Sequence, residues 1–391
     1  MGQEEDIAKL NEDIFLREFT YCNTKFRSGS GQELELCDGA IWLDDLLILF
    51  QAKSRNLDDA TADVETESKW FKAKIGKKAV SQLADSVRYL ANESALPMFN
   101  RRGQELDLSG ISPTTTHLVA IYKASPLISD RTFLSKGRVS QRVGFIHFIS
   151  EGDYQAICMT LQTPMEVSQY LRFREMYVPQ DPKSHEVSEK VLVGKYLTDT
   201  DDALDLCDEH EFITDRLLNS PEEFSVSRML HEYLERLRLC DGNQESLQYH
   251  KILSVLAKLK RNVMKQFKRR LLWAMDKAKA SEACLPSRMM LPYMDCSFLF
   301  LPLEQVEEES RIRFLERYAL LCKQDLKSRL CLGIGVSKNY RAPNDSSSFL
   351  VHGIHLEGEW EPHAEHDAYL SENPDCFREM RGTELGLYEL G

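Results

Sequence analysis

The sequence predicts a mixed α/β protein: helices packed on a central sheet, then a mostly helical region and a smaller C-terminal α/β unit. Three observations carry this. Two strongly apolar runs, 36–43 and 46–53, flank Asp44-Asp45 as the arms of a tight hairpin. Helical and strand-like spacings alternate through the first half of the chain, which describes helices layered on a sheet. The chain has 391 residues, 42% hydrophobic and 28% charged, a globular composition too long for one ordinary core.

The elements follow in order. Ile7, Leu10, Ile14, Phe15 and Phe19 recur at helical spacing, and the RSGSGQ stretch at 27–32 ends that unit as a turn. The hairpin comes next. A helix over 68–92 is expected from Trp70, Phe71, Ile75, Val80, Leu83, Val87 and Leu90. Strands at 117–122 (HLVAIY) and 143–149 (VGFIHFI) precede a helix over 165–174, which closes a first domain, 1–178. Pro179 and Pro182 interrupt any helix there. Residues 187–290 read as mostly helical. In 291–391 the α/β theme returns, with a strand at 297–301, a helix at 304–327 and strands at 330–336 and 349–356. No repeat of fixed period is present.

Charge and composition exclude several classes. With 49 basic and 62 acidic residues the net charge is −13, against a protein that coats nucleic acid with a uniformly basic surface. A local basic channel within an acidic protein remains compatible. No apolar run approaches the ~20 residues needed to span a bilayer. The acidic start MGQEEDIAKL lacks a signal-peptide pattern, and Asp6 stands where a myristoylation signal would have Ser or Thr. The ten cysteines include no CxxC pair, so neither a disulfide framework nor a thiolate zinc site is indicated. A cytoplasmic location with no membrane association is expected.

The chemistry concentrates in ELELCDGAIWLDDLLILFQAKSR, 33–55. A two-residue turn at Asp44-Asp45 pairs Leu43 with Leu46 and sets Asp38 opposite Gln51. Opposed residues share a face with Cβ atoms about 4.5–5.5 Å apart, and Lys53 projects the same way as Gln51. The other face is expected to carry Cys37, Gly39, Ile41, Leu43, Leu46, Ile48, Phe50 and Ala52 into the core. Asp38 and the Gln51 amide oxygen are hard ligands suited to a divalent cation. Such an ion lowers the pKa of bound water and neutralises phosphoryl oxygens, while Lys53 orients the water or stabilises developing charge. The blander account is that Asp38 and Lys53 merely pair at a hairpin end. Two very apolar strands ending in this way favour the chemical reading.

At Asp38 and Gln51-Ala52-Lys53 the chain resembles the PD-(D/E)xK nuclease superfamily, in the Mrr-like variant whose strand ends in QxK. It is also similar to bacterial restriction-endonuclease-like proteins with an ELCD segment before the hairpin. The resemblance covers roughly the first 175 residues. It implies a restriction-endonuclease-like mixed sheet flanked by helices, Mg²⁺ or Mn²⁺ as cofactor, and nucleic acid, DNA foremost, as partner. It also implies an acidic residue on the preceding helix, for which Glu18 is the candidate and Glu35 the alternative. On the following helix it implies a glutamine, for which Gln82 is the candidate. Metal ligation is thus expected from Asp38, Gln51 and Glu18, and a role in bacterial defence against foreign DNA follows by analogy. Two other readings stay open: the same site acting on RNA, and an inactive nuclease-fold protein serving as a binding module or scaffold.

Supporting features are less specific. Lys74, Lys77 and Lys78 fall at i, i+3, i+4 and would hold phosphates flanking the scissile bond. A denser basic run, from Lys258 to Lys279, lies on an amphipathic helix that reads either as a nucleic-acid arm or, slightly preferred, as the counterpart of the acidic stretch 199–211 within the chain or between subunits. His352-x-x-His355 lies in an expected strand, where this spacing sends the rings to opposite faces and argues against zinc. Gly333-Ile-Gly335 reads as strand, not as a dinucleotide loop. By elimination the C-terminal half is assigned sensing, specificity, self-association or a partner protein.

Overall fold

The structure, a computed structural model, describes residues 2–22, 25–29, 31–55, 63–93, 95–109, 111, 113–127, 134–179, 186–198, 208–219, 237–239, 246–281, 284–303, 308–338, 349–378 and 380. The chain divides into two units: Met1–Ser227 with Ala257–Arg261 and Gly386–Gly391, and Arg228–Leu256 with Asn262–Leu385.

The first unit opens with α1 (Gln3–Phe15), then β1 (Thr20–Cys22), the ribbon β2 (Lys25–Arg27) and β3 (Glu33–Glu35), and the hairpin β4 (Gly39–Leu43) and β5 (Leu46–Ser54). One long helical segment follows: α2 (Val64–Ala73), a π-helical turn over Lys74–Ala79, and α3 (Val80–Asn92). The Asp63 carboxylate caps α2 by accepting the Glu65 and Thr66 N–H groups. Then come β6 (Pro97–Phe99), β7 (Glu105–Asp107), β8 (Thr115–Lys123), β9 (Gly137–Ser140) and β10 (Gly144–Ser150). Four helices complete the unit: α4 (Glu151–Leu161), α5 (Pro164–Tyr177), α6 (Glu189–Thr198) and α7 (Asp208–Leu218).

The main sheet has six strands in the order β1-β4-β5-β8-β10-β9. Its centre, β5, β8 and β10, is parallel, and both edges are antiparallel. Parallel central strands need both faces covered, and β5 shows it: Leu46 to Ala52 are buried without a break. Ile41, Ile48, Phe50 and Val119 pack under α1, α4 and α5 with Phe15, Tyr154 and Tyr170. Ala40, Leu47, Leu49, Leu118 and Ile146 pack under the long helix with Phe71, Ile75, Ala79 and Leu83. Cys37 joins this second core, not the Ile41 face expected from strict alternation, because Leu36 and Cys37 lie outside the paired strand and the chain bends at Asp38 before β4 begins.

The first unit carries on past residue 178, because α6 and α7 belong to it. Glu189 on α6 accepts from the fully buried Arg174 of α5, with Nε at 2.6 Å, and from Lys136 Nζ at 2.7 Å. Arg174 also donates to Phe148 O at 2.9 Å and Lys136 O at 2.7 Å. Helix α4 is an element the sequence reading did not single out, its apolar residues being interrupted by Asp153 and Gln155. Ser150 caps it through the Asp153 N–H.

The second unit contains β11 (Leu237–Leu239), α8 (Ser246–Ala257, except Ala257), most of α9 (Arg261–Ala280), β12 (Ser287–Leu291), β13 (Cys296–Pro302), α10 (Glu308–Leu326), β14 (Leu330–Lys338), β15 (Phe349–Glu357) and α11 (Ala364–Glu372). Its five strands run β11-β15-β14-β13-β12. Gly333 and Gly335 lie within β14 as expected; a Cβ on either would strike Ile354 or Leu303. The fold is therefore a mixed α/β one, with a helix-flanked six-stranded sheet, later helices and a smaller C-terminal sheet. Among the described residues no helix is long and apolar enough to cross a membrane.

Candidate functional site at the end of β5

Asp44, at φ 52°, closes the turn with Asp45, and β4 pairs with β5 from Leu43–Leu46 to Gly39–Phe50. This is the expected register. Asp38 stands one residue beyond the paired strand and donates its N–H to Phe50 O at 3.1 Å. Its Oδ2 accepts the Ala52 N–H at 2.6 Å and lies 3.2 Å from Lys53 Nζ. Lys53 Nζ also donates to Gln51 Oε1 at 2.9 Å and to Ala52 O at 2.8 Å. The structure thus brings Asp38, Gln51 and Lys53 together, with three oxygens converging on one ammonium. Asp38 is 7% exposed and Gln51 2%. At that depth solvent screens the pair weakly, and removing one partner strands a buried charge.

Alternation along β5 carries Gln51 and Lys53 on from Leu47 and Leu49, toward the face covered by the long helix. Just beyond, Arg55 lies 3.4 Å from Glu67 on α2, and Glu67 accepts the Ser125 N–H after β8 at 2.9 Å. This bridge ties the start of α2 to the strand ends beside the site.

Glu18 is not on the first helix, where the helical spacing had placed it. Helix α1 stops at Phe15, where Leu16 takes φ 74°, so Glu18 falls in the turn before β1. There its buried Oε1 accepts from Arg102 Nε at 2.8 Å. Two carboxylates in the field of Asp38 are Glu4, in the first turn of α1, and Glu35, at the end of β3. Burial, then Asp38, raises the pKa of Glu4; burial, then Asp38, then Glu4, raises that of Glu35. Glu4, Glu5 and Ala8 of α1, Cys22 of β1, and Asp38, Ala52 and Ser54 together line a cavity of about 370 Å³. Sequence reasoning named Glu35 as an alternative and missed Glu4. The available signal for Glu4 was its place in an acidic first helical turn, but nothing local says which helix end meets the hairpin.

Lys74, Lys77 and Lys78 are all exposed, but not as one α-helical row. They lie in the π turn, whose wider i→i+5 geometry keeps Lys78 near Lys74 and rotates Lys77 aside. Gln82 is half-buried on α3, and its Oε1 is buried with no hydrogen-bond partner. It is therefore turned partly inward, unlike the lysines. Most of the acidic stretch 199–211 lies outside the described residues. On β15, His352 is buried 3.5 Å from Ser337 Oγ, and His355 is half-buried.

Among the described residues, no three His, Cys, Asp or Glu side chains gather closely enough to hold a metal ion. The oxygen donors at the end of β5 are one carboxylate, one amide and one backbone carbonyl. No protein-family model, no curated protein and no solved structure matches the chain.

Proposed function

We propose that the first unit is a divalent-metal-dependent nuclease of the restriction-endonuclease-like class, hydrolysing phosphodiester bonds in DNA. The observation that supports this best is the convergence of Asp38 Oδ2, Gln51 Oε1 and Ala52 O on a single cation, the Lys53 ammonium, at the end of β5. These are hard oxygen donors already arranged around a positive charge, which is the donor chemistry Mg²⁺ or Mn²⁺ takes. Asp38, Gln51 and the Ala52 carbonyl would hold the ion. When bound, it supplies an acidified water and neutralises charge on the phosphate.

The chain's own residues do the rest. The Ala52 N–H holds Asp38 in place from one side. Lys53, released from the oxygens it now contacts, donates to the attacking water or to a phosphate oxygen. Gln51 brings one negative charge fewer than an acidic residue would; Glu4, which lines the cavity with Asp38, and Glu35, in the field of Asp38, supply compensating charge. A role in defence against foreign DNA remains an extension of this reading.

A second reading, an inactive nuclease-fold scaffold, is favoured by one observation: Asp38 is the one carboxylate among the three oxygens that meet the Lys53 ammonium, Gln51 contributing an amide instead of an acid. Incubation with plasmid DNA, linear DNA and RNA separates the readings, with Mg²⁺ or Mn²⁺ and with chelator. DNA cleavage that needs the ion and disappears in Asp38→Ala and Lys53→Ala supports the nuclease. Cleavage equal in wild type and both variants overturns it, and cleavage of RNA alone transfers the site to that substrate.

A further inference from the structure

Two basic stretches of the first unit contain no carboxylate. Residues 68–84 carry Lys69, Lys72, Lys74, Lys77 and Lys78; residues 134–150 carry Lys136, Arg138 and Arg142. The lysines of the first are exposed on the long helix around its π turn, and the second spans the β9–β10 hairpin at the sheet edge. They are 65 residues or so apart in sequence at their centres, yet the fold joins them directly. Arg138 pairs with Ile146 and so shares its face of the sheet, and its Nη1 donates to Gly76 O in the π turn at 2.9 Å. Lys69 is paired with Glu65 and Lys136 with Glu189. Among the described residues Lys72, Lys74, Lys77, Lys78, Arg138 and Arg142 have no carboxylate partner.

Cations gathered on one face of a protein of net charge −13 make a local positive potential that attracts and orients a partner of opposite sign. We infer that the π turn and the β9–β10 hairpin together form a docking surface for the phosphate backbone of duplex DNA. This rests on the nuclease reading above and extends it from Lys74, Lys77 and Lys78 to a second element, with Arg138 as the joint and Arg142 as the outer contact. The surface lies on the sheet face toward which Gln51 and Lys53 project. β9 is three strands from β5 in the sheet, about 14 Å at ordinary strand spacing, or roughly four base pairs along one strand of a duplex.

The chemistry of the patch favours a duplex over a single strand. Single strands are held by bases stacked on exposed aromatic rings. No exposed aromatic ring lies on either stretch: Trp70 is half-buried with the Arg55 guanidinium 5.9 Å from its ring, and the exposed large apolar side chain of the hairpin is Val139. Cations without stacking platforms contact phosphates.

The test measures binding apart from cleavage. The full-length chain is titrated, with chelator present, against a fluorescent 20-base-pair DNA duplex at several salt concentrations, with single-stranded DNA and duplex RNA as competitors. The variants are Lys78→Glu and Arg142→Glu, with Arg313→Glu on α10 as a charge-matched control, an exposed residue of the second unit. Each of the first two is expected to weaken duplex binding about tenfold and to reduce the salt slope by about one; the control leaves both unchanged. Absence of duplex binding by the wild type, binding by Arg142→Glu equal to wild type, or preference for single-stranded DNA or duplex RNA overturns the proposal. The two readings fail separately. Metal-dependent cleavage with unaltered Arg142→Glu affinity removes the surface and keeps the site; patch-dependent binding without cleavage removes the nuclease and keeps the surface.

Discussion

Ala52 donates its backbone N–H to Asp38 Oδ2 at 2.6 Å, fourteen residues away along the chain. The middle residue of Gln51-Ala52-Lys53 therefore fixes the acid with its N–H and faces the Lys53 ammonium with its carbonyl. A register slip of one residue would turn every side chain on β5 to the opposite face and separate all of these groups at once.

Asp38→Asn preserves shape and removes charge. Metal-dependent cleavage is expected to fall at least about 100-fold, while the melting transition remains cooperative. The loss of charge-assisted bonds from Ala52 and Lys53 should cost about 1–3 kcal/mol. Cleavage rates and urea unfolding of the same preparation check both; unchanged cleavage removes Asp38 from the chemistry.

Gln51→Glu adds the charge that an amide lacks. The variant is expected to bind Mn²⁺ about tenfold more tightly, since ligand charge sets affinity for hard cations. Calorimetric titration measures this directly, and an unchanged or weaker affinity argues that Gln51 is not a ligand.

Glu4 and Glu18 should separate. Glu4→Gln, at the cavity, is expected to raise the metal concentration needed for half-maximal cleavage several-fold. Glu18→Gln removes the charge facing Arg102 and is expected to leave that concentration unchanged while lowering stability by about 1–3 kcal/mol. The reverse pattern would return the catalytic acid to position 18.

Glu189→Ala should show what holds α6 to the sheet. Arg174, fully buried, and Lys136 would lose their common partner, and Arg174 and Lys136 together are what hold the Glu189 carboxyl well below the usual carboxylate range. Stranding the buried guanidinium is expected to cost about 3–5 kcal/mol in urea unfolding. A loss under about 1 kcal/mol would mean the network is not what secures the helix.

Acid should weaken the first unit through its buried histidines. Burial, then Arg172, holds His117 down to about 4, and burial, then Arg174, lowers His147. Both are neutral in the fold and regain an ordinary value near 6.5 when the chain unfolds. The unfolded chain then binds more protons, so stability falls as pH drops from about 6.5 toward 4. His117 alone should remove about 2 kcal/mol between pH 8 and pH 5. Urea midpoints across that range should shallow in His117→Gln; identical pH profiles would refute the assignment.

Much of this was legible in the chain itself. Period-two alternation with a two-residue turn specified the hairpin and its register, because strand geometry links side-chain direction to residue parity. That register placed Asp38, Gln51 and Lys53 together, and helical spacing marked α1, the long helix and α5. The π turn was not visible, since its residues satisfy an α-helical pattern equally well, and α4 was hidden because Asp153 and Gln155 interrupt its apolar residues.

What the sequence determined by itself is therefore local: the alternation of elements, the apolar ribbon and the three groups at its end. The tertiary structure alone decided that Glu4 and Glu35 share the field of Asp38, that Glu18 meets Arg102, that Arg138 reaches the π turn, and that Glu189 binds α6 to Arg174. Those choices depend on which distant segments meet when both faces of the sheet are buried, and side-chain periodicity carries no information about contacts across tens of residues.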